Sequence, residues 1–171
     1  MAKRLSLREF QEDLVRRFAD AQTGDRRALL AVRAGHENWL LNLTDSGEIL
    51  PVPPIAGVPL THDWFRGLAN VRGTLFSVVD LSAFHRGPHT PPGGAARLLL
   101  IGVRHGVNCA LLVSSALGLR NPDDFQPAES DAGDTRPWVQ EHLRDARDHR
   151  WLKLDVPKLL ANRSFLQAGL E

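Results

Sequence analysis

Residues 63–84, DWFRGLANVRGTLFSVVDLSAF, constrain the fold of this chain more than any other stretch. A short aromatic, helix-like segment runs into a tight turn at residues 70–73, then an apolar run, then an Asp-led exit. Gly73 suits a backbone position with positive φ, which glycine reaches without steric cost. Residues 74–79 have no polar face, so they read as a strand buried on both sides. Arg72, at the mouth of that strand, then needs a partner, because a charge taken out of water alone is expensive.

The chain has 171 residues, enough for one domain or for two small subdomains sharing a core. With 43% hydrophobic and 24% charged residues it has the composition of a soluble globular protein. A net charge of +1 leaves no electrostatic footprint for nucleic acid. The single cysteine, Cys109, excludes an internal disulfide and fits a reducing compartment. Met-Ala-Lys-Arg leads into an amphipathic stretch rather than a signal-peptide core, and no apolar run approaches the ~20 residues that span a bilayer. A cytoplasmic location is expected.

Residues 6–22 read as an amphipathic helix with Ser6 and Glu9 as a capping box, an apolar face of Phe10, Leu14, Val15 and Phe18, and Gly24 beyond its end. Such a helix either packs on its own domain or recruits a partner. Residues 28–32 and 38–43 form a hairpin around Gly35, residues 51–59 are Pro-rich and extended, and Thr61 caps a short helical turn over residues 62–68. Residues 85–96, HRGPHTPPGGAA, are a linker by composition. A second strand pair spans residues 97–104 and 107–113, and residues 121–137 form an exposed acidic loop. Residues 138–146 read as strand or short helix, 151–155 as strand and 156–160 as a C-terminal helix.

A weak internal duplication is readable. Val32-Arg33-Ala34-Gly35 with Leu40-Leu41 recurs as Val103-Arg104-His105-Gly106 with Leu111-Leu112, at an offset of 71. Residues 76–81, FSVVDL, resemble residues 151–156, WLKLDV, at an offset of 75. In both copies an Asp, Asp80 or Asp155, ends an apolar strand where it can cap the following turn of helix. Two related β units with many short strands favour small barrels.

Catalytic chemistry is hard to find. His85 and His89 lie in the Gly/Pro linker, where they read as solvated loop histidines, and no ligand cluster accompanies them. Ser114-Ser115 lacks a nucleophile-elbow frame, and Gly93-Gly94 lacks the Lys-Ser/Thr of a phosphate-binding loop. Cys109 reads as a small core thiol. Without nucleophile, base and oxyanion donor together, the residues support a binding module with no metal and no cofactor.

Phe65-Arg66-Gly67-Leu68-Ala69-Asn70-Val71-Arg72-Gly73-Thr74 with Val79-Asp80-Leu81 resembles the hallmark of the CheW-type chemosensory adaptor family. That hallmark is an apolar residue, x-Gly-Val-x-Asn-Leu-Arg-Gly, a short apolar run and Asp-Leu. Glu48-Ile49 falls at the family's Val-x-Glu-Ile element, with Ser46 in place of the usual apolar residue. The N-terminal stretch, Gly47-Glu48-Ile49-Leu50-Pro51 and Val58-Pro59-Leu60-Thr61 with Trp64-Phe65 are similar to the PilI-type adaptors of type IV pilus (twitching-motility) systems.

The resemblance implies an all-β fold with flanking helices, in which two small five-stranded, SH3-like barrels share a core. Its expected parts are an N-terminal helical extension (1–24), the adaptor domain (28–161) and a tail (162–171). It implies a scaffold without catalysis, recruited to membrane-bound receptor arrays, whose partners are a CheA-type histidine kinase and the cytoplasmic tip of methyl-accepting chemoreceptors. The residues expected to meet a partner are Glu48, Ile49, Leu68, Asn70, Val71, Arg72 and Gly73, with Asp80 and Asp155 as structural caps. Two roles stay open for Arg72 and Glu48: recognition, or holding one barrel's loops together. A small-molecule-sensing or enzyme-regulating β module is the alternative to an adaptor.

Overall fold

The computed structural model describes residues 27–101 and 103–170. The expected helix over residues 6–22 lies outside them. Among the described residues twelve strands make two six-stranded sheets. In the first, β10 (Phe125–Pro127), β11 (Val139–Asp145), β12 (Arg150–Leu154), β2 (Glu37–Asn42), β1 (Leu29–Ala34) and β9 (Ser115–Arg120) lie side by side. In the second the order is β3 (Ser46–Pro51), β7 (Arg97–Ile101), β8 (Cys109–Val113), β6 (Thr74–Asp80), β5 (Phe65–Val71) and β4 (Ile55–Ala56). The fold is all-β with short flanking helices, as expected. Each sheet adds to five full strands a short edge strand: β4 lies in the Pro-rich stretch expected to be extended or edge-like, and β10 in the stretch expected to be loop.

Alternation explains the doubly apolar strands. In β1, Leu30, Val32 and Ala34 face a central core that also takes Trp39, Leu99, Ile101 and Leu111 from both sheets. Leu29 and Ala31 face the other way, toward Phe125, Leu143 and Trp151. In β8, Cys109, Leu111 and Val113 join the central core, while Ala110 and Leu112 meet Ala69, Phe76 and Leu98. Each sheet therefore wraps its own small core and shares a third, so strands at the seam have no polar face.

The chain order shows the duplication directly. β12 pairs with β2 in parallel, and β6 pairs with β8 in parallel. Asp80 and Asp155 both cap the helix that follows, α1 (Leu81–Phe84) and α2 (Val156–Ala161), and both donate their N–H to a Trp carbonyl, Trp64 or Trp138, at 2.8 Å. A last helix, α3, is Arg163–Leu166. The offset of 75 is thus a true structural correspondence. The offset of 71 is one residue out: the parallel register sets Ser77 beside Cys109 and Leu152 beside Trp39. Residues 32–34 are strand, whereas Val103–His105 is a 3₁₀ turn after β7.

The units do not form one sheet each. The hairpin β1–β2 of the first copy completes the sheet built by β9–β12, and β7–β8 of the second completes that of β3–β6. Four further expectations are corrected. Residues 65–68 are strand, not helix, because Gly67, Ala69 and Val71 are buried at every second position and pair with β6. The start of β6 is exposed, Leu75 by 57%, so only its second half is buried on both sides. The linker is partly core, since Thr90 is 2% exposed. Phe125 is buried within the loop expected to be wholly exposed.

Candidate partner-binding site

Strands β5 and β6 are joined by a two-residue turn, Val71 and Thr74 being the last paired residues. Arg72 and Gly73 have φ of 50° and 85°, the signature of a type I′ hairpin turn. Asn70 Oδ1 accepts from the Gly73 N–H at 2.8 Å and braces it. Asn or Gly is the usual occupant of Arg72's position, so Arg is there for its head group. That guanidinium donates from Nη2 to Glu48 Oε1 on β3.

In the sheet order β7 and β8 separate β3 from β6, so the contact forms only because the sheet curls. The pair acts as a clasp across that curl. It is not buried: the side chains are 74% and 41% exposed, which corrects the expectation of a charge withdrawn from water. The direct hydrogen bond lowers the Glu48 carboxyl and raises the Arg72 guanidinium from their ordinary pKa values.

Of the other expected residues, Asn70 and Gly73 build the turn, Leu68 is half-buried, and Ile49 packs against the central core. Val71 is 9% exposed and belongs to the second core. The surface actually presented comprises Glu48, Asn70, Arg72 and Leu75, which pairs across from Asn70. Leu75 escaped notice because an apolar run gives no sign of which residues overhang the sheet.

The rest of the motif holds this hairpin in place. Gly67 has φ of 125°, and a Cβ there would lie 2.0 Å from the Ala56 carbonyl oxygen, so β4 and β5 approach as closely as they do only at a glycine. Asp80 is fully buried and does more than cap. Oδ2 accepts from the Thr90 N–H at 2.7 Å and from Arg66 at 3.3 Å, while Oδ1 accepts from the Thr90 hydroxyl at 2.9 Å and the Ala83 N–H at 3.3 Å. Asp155 accepts from the Lys158 N–H at 3.0 Å.

A second polar group lies against the first sheet. Arg136 donates to both oxygens of Glu37 at 3.0 Å and both of Asp134 at 2.8 Å. Beneath it His85 stacks on Trp39, ring centroids 4.8 Å apart, and its Nε2 accepts from Trp138 Nε1 at 2.9 Å. His85 is therefore a core histidine, not a solvated one, and burial pushes it down to about 3. Sequence separation hides this network, since Glu37 and Arg136 are 99 residues apart.

The nucleophile candidates are occupied otherwise. Cys109 is buried, which pushes its thiol up to about 12, and Ser114 Oγ accepts from the Gly35 N–H at 3.0 Å. Among the described residues no group of three His, Cys, Asp or Glu could hold a metal ion.

Comparison with known proteins agrees with this fold. The chain is similar to Protein PilI of Pseudomonas aeruginosa, 24% identical over 147 residues that cover 82% of this chain and 79% of that one. Its fold is similar to the crystal structure of the scaffolding protein TtCheW from Thermoanaerobacter tengcongensis, with a TM-score of 0.63 at 16% identity, covering 75% of this chain and 88% of the other. The family model of the CheW-like domain matches residues 28–164, the span of both sheets and of α2. The chain belongs to the CheW-like domain family.

Proposed function

We propose that this protein is a non-enzymatic adaptor that couples methyl-accepting chemoreceptors to a CheA-type histidine kinase in a pilus-associated chemosensory system, working in the cytoplasm at receptor arrays. The observation that carries the reading is the exposed Arg72–Glu48 clasp at the tip of the family's own motif. It offers a partner a planar guanidinium and the apolar Leu75 on the β5–β6 hairpin, with the Glu48 carboxylate of β3 held against them. Likeness to PilI supports the pilus assignment. Among the described residues no helix is long and apolar enough to cross a membrane.

Interferometry against the CheW-like regulatory domain of the kinase tests the proposal. Saturable binding that Glu48→Gln and Arg72→Asn weaken, with unfolding midpoints no lower than the parent's, is the expected result. No binding to either the kinase or a receptor tip at high concentration would overturn it.

A further inference from the structure

An edge strand presents a row of unmatched N–H and C=O groups, which a β protein has to blunt or cover. Three of the four sheet edges are blunted. Strand β3 ends in Pro51, β10 ends in Pro127, and β4 is two residues long and preceded by Pro53-Pro54. The fourth edge, β9, is six residues long without a proline, and its one charge, Arg120, is its last residue. Its pairing with β1 skips Leu117 as a bulge and then resumes.

This edge also carries an apolar overhang. Leu119 lies opposite Leu30, so both side chains stand on the face of the central core. Leu30 is buried and Leu119 is 56% exposed, so the apolar surface runs on past the rim of that core. The chain enters β1 at the same rim: Arg27 and Ala28 line one side of a cleft of about 340 Å³ whose other side is Leu119, Arg120 and Asp123. Ahead of Arg27, Phe10, Leu14, Val15 and Phe18 recur at helical spacing, and a helix of this kind gains its stability by packing its apolar face. Over residues 6–22 such a helix is ~25 Å long, against ~20 Å for β9, so one helix covers the whole edge. Gln22 is five Cα steps from Arg27, at most ~18 Å, which tethers the stripe close to Leu119.

We propose that the amphipathic stretch over residues 6–22 of this same chain docks along the free edge of β9, its Phe10, Leu14, Val15 and Phe18 covering Leu119. One contact then buries both the stripe and the overhang and shields the one edge that lacks protection of its own. A second copy pairing strand to strand would shield the edge but leave the stripe uncovered. The tether also holds the segment at an effective concentration on the order of millimolar, which a separate molecule has to match. Strand β9 belongs to the other sheet from the Arg72–Glu48 clasp, so the proposal does not rest on the adaptor reading.

Amide hydrogen exchange of the full chain, read by mass spectrometry, tests the docking. The variant Phe10→Asp/Phe18→Asp is expected to speed exchange over residues 115–120 at least about tenfold, with the β3 edge over residues 46–51 unchanged. The converse variant, Leu119→Asp, is expected to speed exchange over residues 10–18. Adding it to the first variant is expected to change residues 10–18 no further, because the contact is already lost. Four results overturn the proposal: unchanged exchange at residues 115–120 in the first variant, unchanged exchange at residues 10–18 in the second, acceleration spread evenly over every strand, or protection of β9 that rises with protein concentration, as pairing with a second copy gives.

Discussion

Arg72 sits in a backbone conformation that Asn adopts more readily, and this separates its turn from its charge. Arg72→Asn makes the favoured Asn-Gly turn dipeptide and removes the guanidinium. Its expected outcome is a thermal midpoint equal to or above the parent's, with kinase affinity at least about tenfold lower by interferometry. A variant that unfolded early would instead assign Arg72 to the fold. His85 gives a pH prediction. Its folded pKa, about 3, lies below the ordinary 6.5, so the unfolded chain binds this proton first as pH falls. Stability from the neutral ring is full above about 6.5 and declines toward about 3. The lowered carboxyls of Glu48 and Asp134 add their own losses only at lower pH, through the ordinary carboxylate range. Urea midpoints at pH 7.5 and pH 5 are expected to converge in His85→Gln. Arg72 was legible as a residue needing a partner, and Glu48 as that partner. His85 was not, because a Gly/Pro-rich neighbourhood says nothing of the tryptophans that fold over it.

At the scale of elements, the same position in the two copies carries different weights. Asp155 makes one cap bond, so Asp155→Ala is expected to cost about 1 kcal/mol. Asp80 takes four hydrogen bonds with no exposure, and Asp80→Ala would leave both Thr90 donors and the Ala83 N–H unmatched, Arg66 keeping the Thr90 carbonyl. Its expected cost is about 3 kcal/mol, read from urea unfolding of both variants. The sequence showed both aspartates as caps because capping is a local rule. Two of the three extra bonds to Asp80 come from Thr90, in a segment ten residues on whose composition reads as linker, and the third from Arg66. Strand β5 was misread for a related reason. Its aromatic start, Trp64-Phe65, suggested a helical turn, but the alternation of Gly67, Ala69 and Val71 is that of a strand. Two of those three are among the smallest side chains, so the period was faint.

At the scale of the molecule, duplication was legible but the exchange of hairpins was not. No local pattern tells β2 to pair with β12 rather than with β6; the two offer much the same apolar edge. Because each sheet needs strands from both copies, neither copy can close a core alone. Cleavage between Pro92 and Gly93 is expected to give fragments with no cooperative unfolding transition of their own. Mixing them is expected to restore one, followed by circular dichroism; a fragment that melted cooperatively alone would refute the mutual dependence. The chain's one cysteine also lies on this seam, where Cys109 of β8 pairs with Ser77 of β6. A thiol this buried, and pushed up to about 12, stays silent to alkylating reagents while the two halves are joined. Its labelling rate is therefore a natural clock for their separation, and leaves a clean background for cysteines placed on the surface to map partners by cross-linking.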